Sequence, residues 1–299
     1  MLSIQKEKCI ENKKFGEYQV SGILGKGKYS KVYKICKQKS CFALKEIKTK
    51  NTTFISRNKS SSEILFLYFC QQLNKAGLTE NLQDTIDFYK CHKCDSLYTE
   101  SEILFGDCWK FFKIKHSVKV WRNFYFQILA GLYTFQRYLD GVHFDLHPGN
   151  ILFTIDKPNV NGYKIYIINK KKYYLPDTGY TFKISDFGIS YSKSLGIFNK
   201  NRMYAYKEYL FAGKGTYFDT KEIDALILSQ SYYQNVKKEN KVKEIEYFLD
   251  YWEYLIFEKN IKYTFDLISE LFIEYTIKPK NAKIIKTFDL DKKFLVKLI

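Results

Sequence analysis

The sequence predicts an α+β fold in two parts, a small strand-rich N-terminal part carrying one helix and a larger helix-rich C-terminal part. Three observations predict it. Residues Tyr18 to Ile47 are rich in β-branched and aromatic residues and are punctuated by Gly25 and Gly27, which is strand composition with turns. Between Ser117 and Leu139, Trp121, Phe124, Tyr125, Ile128, Leu129, Leu132 and Phe135 recur at helical spacing. From Lys221 onward the chain reads as helical. The boundary falls near Phe105 or Gly106, and no internal repeat or low-complexity linker interrupts the chain.

The elements follow in order. After the strands of 18–47, Ser60 to Leu73 reads as a helix. Ser60, Ser61 or Ser62 could cap it, and Ile64, Leu65, Leu67, Tyr68 and Cys70 supply its apolar face. Thr85 to Lys90 and Leu97 to Leu104 read as strands, and the long helix of 117–139 follows. Ile151 to Ile155 and Thr181 to Ser185 are short strands flanking an insertion. Within it, Tyr163 to Ile168 and Lys172 to Leu175 alternate like a hairpin.

Composition limits the function classes. The chain has 299 residues, 45% hydrophobic and 27% charged, which is globular and not disordered composition. Its longest apolar run, Ile64 to Cys70, has seven residues, whereas a membrane span needs about 20. Met1 to Lys14 contains no apolar core of signal-peptide length, so a soluble cytosolic protein is expected. Lys plus Arg is 49 against 32 Asp plus Glu, a net charge of +17. Only Arg57, Arg122, Arg137 and Arg202 are arginines. Base and phosphate readout favours the arginine fork, so this lysine-dominated surface argues for a diffuse field and against dedicated nucleic-acid binding. Seven cysteines is an odd count, from which free thiols in a reducing compartment are expected. Cys91-His92-Lys93-Cys94 has no second pair at zinc-finger spacing and reads as a strand-connecting turn.

Four segments carry chemistry. Leu24-Gly25-Lys26-Gly27-Lys28-Tyr29-Ser30-Lys31-Val32 is a glycine-rich turn between strands, where backbone N–H groups can approach phosphate oxygens without a Cβ in the way. Gly22 through Lys28 also spells GxxxxGK. Tyr29 stands where a P-loop needs a hydroxyl for Mg²⁺, and a strand follows in place of a helix, so that reading is rejected. Lys45 lies on a core strand in Phe42-Ala43-Leu44-Lys45. A buried ammonium needs a partner, and Glu63, 18 residues on, is the one proposed from the sequence. His143-Phe144-Asp145-Leu146-His147-Pro148-Gly149-Asn150 places two groups five apart on a loop. Asp145 can accept a proton and Asn150 can ligate a metal. Asp186-Phe187-Gly188 adds another oxygen ligand on a turn.

In this order the four segments resemble the eukaryotic protein kinase family, over roughly residues 17 to 230. The resemblance implies a bilobal fold: an extension at 1–16, an ATP-binding N-lobe at 17–105 and a helical C-lobe at 106–299. It implies that Leu24, Gly25, Lys26, Gly27, Lys28, Tyr29 and Ser30 cover the phosphates of ATP, and that Val32 and Ala43 contact adenine. Lys45 would hold the α- and β-phosphates and pair with Glu63. Asp145 would take the substrate hydroxyl's proton, and Asn150 and Asp186 would hold Mg²⁺. Glu102 to Leu104 would be the hinge, with Glu100 as the alternative register, and Asp107 would sit at the ribose.

Departures from the family pattern are equally legible. Phe144 stands where an Arg usually precedes the catalytic Asp, so no activation-loop phosphate is expected to act as a switch. The ring of Phe144 is expected to pack beneath the catalytic loop. His147 replaces the catalytic-loop Lys, so γ-phosphate charge must be stabilised differently. The insertion between Asn150 and Asp186 is long, and no Ala-Pro-Glu follows the activation segment. Phe218-Asp219 is read as the start of the central C-lobe helix, with Asp224 as the rival anchor. These features resemble divergent kinases of large DNA viruses, poxvirus-like and asfarvirus-like, and more distantly haspin. The expected function is a constitutive Ser/Thr kinase of protein substrates, monomeric, in the host cytoplasm or virion, with Thr216 favouring Ser/Thr over Tyr. The alternatives are a pseudokinase scaffold and an aminoglycoside- or choline-type phosphotransferase.

Overall fold

Period-two patterning and short turns make one curled sheet of the N-terminal third. The computed structural model describes residues 6–27, 30–48, 59–197, 224–225, 228, 243–259, 261 and 263–294. The strands are β1 (Ile10–Glu11), β2 (Lys14–Phe15), β3 (Tyr18–Lys26), β4 (Ser30–Lys37), β5 (Ser40–Lys48), β6 (Thr85–Cys91) and β7 (Ser96–Ser101). They form a seven-stranded sheet in the order β1-β2-β3-β4-β5-β7-β6. Helix α1 (Lys59–Lys75) crosses between β5 and β6. It starts at Lys59, so Ser60 to Ser62, read as cap candidates, fall within its first turn.

Within the segment set off in the sequence as an extension, residues 6–15 join this sheet. Lys8 N–H donates to Lys90 O at 3.1 Å and Lys90 N–H to Lys6 O at 3.0 Å, while β2 pairs with β3. The segment therefore spans from one edge strand of the curled sheet to the other, covering backbone groups that an open edge would expose. Phe15 anchors it. That ring is fully buried against Tyr89 and Tyr98, with centroids 5.0 and 5.2 Å away.

The same arrangement corrects the expectation of free thiols. Cys9 is bonded to Cys91, and Cys36 to Cys41. The first pair meets because residues 6–8 run beside β6. The second meets because Cys36 and Cys41 are directly opposite in the β4–β5 hairpin. Cys70, Cys94 and Cys108 are in no disulfide. Cys91 is thus unavailable as a metal thiolate, and the CxxC is the turn of the β6–β7 hairpin. Among the described residues no group of three His, Cys, Asp or Glu could hold a metal, and no helix is long and apolar enough to cross a membrane.

The C-terminal part is built on a buried helix. Helix α2 (Cys108–Phe112) is followed by α3 (Val118–Leu139). Ser117 caps α3, its hydroxyl accepting from Val120 N–H at 3.4 Å, and Asp140 ends it in the left-handed region at φ +48°. α3 is buried nearly all round, so its polar groups need internal partners. Gln127 Nε2 donates to Tyr180 O at 3.1 Å and its Oε1 accepts from Phe182 N–H at 3.0 Å, which ties α3 to the strand after the insertion.

The remaining strands are β8 (Gly106–Asp107), β9 (Gly141–Val142), β10 (Ile151–Ile155), β11 (Gly162–Ile168), β12 (Lys171–Pro176), β13 (Tyr180–Ile184), β14 (Tyr191–Ser192) and β15 (Lys283–Asp289). β10 lies between β8 and β13, and β9 pairs with β14. The insertion forms the hairpin read from the sequence, β11 antiparallel to β12. Helices α4 (Lys243–Phe257) and α5 (Thr264–Leu271) pack against α3. The C-terminal part is not helical throughout, however. β15 joins β11 in parallel, with Tyr166 opposite Phe288 and their rings 4.9 Å apart. Lys-Ile-Ile-Lys-Thr-Phe has strand composition, and β11 offers it an open edge.

Candidate active site

Sheet register places the first functional residues in a row. Gly25 on β3 faces Val32 on β4, and Val32 faces Lys45 on β5. Lys45 points under the sheet, its side chain 14% exposed, while its neighbour Leu44 is buried on the opposite face. Nζ donates to Glu63 Oε1 at 2.5 Å and lies 3.3 Å from Asp186 Oδ1. Burial works against the ammonium charge. The Glu63 and Asp186 carboxylates outweigh it and hold the Lys45 pKa above the usual lysine range. The structure therefore brings Lys45, Glu63 and Asp186 together from β5, α1 and the turn after β13.

The Asp186 turn is fixed from beneath. Asp186 is left-handed at φ +59°. Phe187 is fully buried, its ring 5.2 Å from Phe135, 6.3 Å from Phe66 on α1 and 5.2 Å from His143. Phe66 lies three residues after Glu63, so one helix face carries both the carboxylate on Lys45 and the ring against Phe187.

The loop 143–150 is held by its backbone. Asp145 N–H donates to His143 Nδ1 at 3.2 Å, so Nδ1 keeps its lone pair. Nε2–H then donates to Ser185 O at 2.9 Å, tying this loop to the Asp186 turn. Asn150 Nδ2 donates to Asp145 O at 2.8 Å and to Asp145 Oδ2 at 3.1 Å. Both amide protons are thereby used, leaving Asn150 Oδ1 as an acceptor. His147 Nδ1 accepts from Gly149 N–H at 3.1 Å, and its Nε2 is 3.8 Å from Asp145 Oδ1. Phe144 is 6% exposed with its ring 6.4 Å from Tyr191, and its backbone is left-handed at φ +65°. A bulky side chain in that region is strained.

Asp224 holds the strained turn. Its fully buried carboxylate accepts from His143 N–H at 2.7 Å and from Phe144 N–H at 2.8 Å. Burial raises its pKa, and the two N–H donors oppose that rise. The anchor is therefore Asp224, the rival of Asp219. Phe218-Asp219 lies outside the described residues. Asp224→Asn keeps the shape but replaces one of the two acceptors with an NH2 donor, leaving one of the two backbone N–H groups without its partner. It is expected to cost about 1–3 kcal/mol of stability and to lower turnover, measured by urea denaturation beside an activity assay. Unchanged values in both would remove Asp224 from the site.

The linker between the two parts runs through Glu102 to Leu104. Glu100 belongs to β7, is 3% exposed and accepts from Tyr89 OH at 2.7 Å. Glu102 leaves the strand and pairs with Lys183 on β13, a partner with no signal in the sequence. Asp107 caps α2, its Oδ1 accepting from Lys110 N–H at 3.1 Å. Lys28 and Tyr29 lie outside the described residues, as does the chain from 198 to 223, including Lys200, Arg202, Lys207, Lys214 and Thr216.

The residues present fit a nucleotide and a hard cation. Neither Gly25 nor Gly27 has a left-handed backbone, and a Cβ at either would meet nothing closer than 3.4 Å. Packing among the described residues thus does not demand glycine there, and the absence of a Cβ leaves the backbone open to a ligand's approach. Asn150 Oδ1 and the Asp186 carboxylate, which is 41% exposed, are oxygen donors of the kind Mg²⁺ takes.

Comparison with known proteins agrees. The model of the protein kinase domain family matches residues 18–209. A candidate serine/threonine-protein kinase of Acanthamoeba polyphaga mimivirus is 32% identical over 200 residues, 55% of this chain and 49% of that relative. The chain thus spans about half the length of the curated relative it matches.

Proposed function

The chain belongs to the protein kinase family, and from that premise we propose that it is a serine/threonine kinase transferring the γ-phosphate of ATP, with Mg²⁺, to hydroxyls of protein substrates. The observation that carries the reading is the meeting of Lys45, Glu63 and Asp186 beside the Asp145–Asn150 loop, with His143 joining the two halves. Lys45, fixed by Glu63, holds the α- and β-phosphates. Gly25 and Gly27 cover them, with Leu24, Lys26, Lys28, Tyr29 and Ser30 completing the loop. Val32, Ala43 and the backbone of Glu102 to Leu104 take the adenine, and Asp107 takes the ribose. Asn150 and Asp186 hold Mg²⁺, which when bound neutralises charge on the phosphates. Asp145 orients the substrate hydroxyl and accepts its proton. His147, bonded through Nδ1, turns Nε2–H toward the same place, where it stabilises developing negative charge. A net charge of +17 suits acidic substrates, and the host cytoplasm or a virion is the compartment proposed.

The test is to incubate the protein with labelled Mg-ATP and casein, a basic protein, choline and kanamycin. Label on protein serine or threonine supports the reading. Label on choline or kanamycin, or none, overturns it.

Regulation follows from Phe144, which cannot pair with a phosphate. The activation segment carries Lys193, Lys200, Arg202, Lys207 and Lys214 whether or not a hydroxyl is modified. Enzyme made in bacteria and stripped with phosphatase is expected to retain full activity. Activity that returns only after phosphorylation between Ser190 and Thr216 would overturn constitutive action.

A further inference from the structure

Helix α2 presents one side chain that the fold does not use. Its register buries Cys108, Phe111 and Phe112 and turns Trp109 outward, where it remains 45% exposed. Phe112 touches the indole edge-on, with centroids 6.3 Å apart. Nε1–H has no hydrogen-bond partner among the described residues. The indole stands against the catalytic loop. A Cβ built on Gly149 would lie 3.4 Å from Trp109 Nε1 and 2.9 Å from His147 Cε1. Trp109, Gly149, His147 and Asp145 therefore form one continuous rim, closed by the 3.8 Å approach of His147 Nε2 to Asp145 Oδ1.

Resting on the kinase reading, we infer that Trp109 is a substrate-binding and specificity-determining residue, seating an apolar side chain of the peptide that delivers its hydroxyl to Asp145. A peptide reaching Asp145 along this rim passes Gly149, whose missing Cβ lets His147 and Trp109 close together there, and arrives at the indole. There the ring face offers apolar area and Nε1–H offers a donor to a peptide carbonyl. Nearby charge selects against a basic residue at this point. Lys110 Nζ lies 3.9 Å from the Phe105 ring centroid on the same short helix and linker, and Lys113 follows at the helix end. A leucine, methionine or phenylalanine beside the phosphoacceptor is the chemistry that fits.

The experiment is a positional-scanning library of serine peptides, read with the wild type, Trp109→Ala and Trp109→Phe. The wild type is expected to select large apolar residues at one position flanking the serine. Trp109→Ala is expected to lose that selection and to raise KM for the best peptide about tenfold, while kcat and the KM for ATP stay within about twofold. Trp109→Phe, which keeps the ring and loses the N–H, should retain the selection with a smaller rise in KM. An identical selection profile for wild type and Trp109→Ala, with ATP turnover intact, overturns the role of Trp109 alone. If no peptide is labelled and Mg-ATP does not raise the melting temperature, the kinase reading itself fails and takes this inference with it.

Discussion

Asp145→Asn and Asp186→Asn are each expected to lower kcat by at least ~10²-fold, the lower range for removing a general base. The two lose different things. At 145 an amide can still accept from Asn150 Nδ2, so the loop keeps its shape, but it cannot take the hydroxyl's proton. At 186 the amide loses the charge that faces both Lys45 and the metal position. Neither side chain is buried deeply enough for the change to unfold the chain, since Asp145 is 30% and Asp186 41% exposed. Melting temperatures should stay within about 4 °C of the wild type, as a change near 1 kcal/mol implies for a domain of this size. Steady-state phosphotransfer beside thermal denaturation makes the measurement. Near-normal turnover in either variant would sink the assigned roles.

Lys45→Met carries the second large effect, and it separates stability from activity. Glu63 is 4% exposed, so removing its ammonium partner leaves a buried carboxylate without its closest cation. Breaking one side of a buried pair typically costs about 3–5 kcal/mol, whereas replacing both sides with apolar groups is often neutral. Lys45→Met should therefore lose activity and stability together. Glu63→Gln should lose less activity, because Asp186 still holds the ammonium. Lys45→Met combined with Glu63→Leu should recover most of the stability while remaining inactive. Recovery of phosphotransfer in that double variant would show that Lys45 does not position the nucleotide.

Local chemistry was readable in the sequence, and long-range pairing much less so. The loop 143–150, the Asp186 turn and the glycine-rich strand pair are short segments whose residue types single them out locally, and the structure places them beside Lys45. α3 was equally plain, because apolar spacing and the Ser117 cap are local signals. The Lys45–Glu63 pair could be inferred across 18 residues, since a lysine on a core strand demands a carboxylate. Asp224 could be named as a candidate anchor, but nothing local shows which backbone N–H groups a distant carboxylate will meet. The Cys9–Cys91 bond was hidden because it depends on residues 6–8 lying along β6, a register set by main-chain pairing and by Phe15. Cys36 and Cys41, by contrast, sit across one hairpin, and an odd cysteine count masked a pair that strand spacing could have suggested. Lys183 on Glu102 and β15 on β11 leave no trace in local pattern, because each depends on which strand lies beside which.

The parallel pairing of β15 with β11 also fixes an order of events in the making of the chain. Residues 162–176 can close as a hairpin soon after they leave the ribosome, but the third strand is encoded at 283–289. At ordinary elongation rates the interval is on the order of ten seconds, whereas a hairpin forms within microseconds. During that wait the outer edge of β11, which includes Ile165 and Ile167, presents unpaired backbone to whatever is nearby. The nascent polypeptide thus passes through a stage at which the loop 143–150 and the Asp186 turn are already synthesised while this edge stands open.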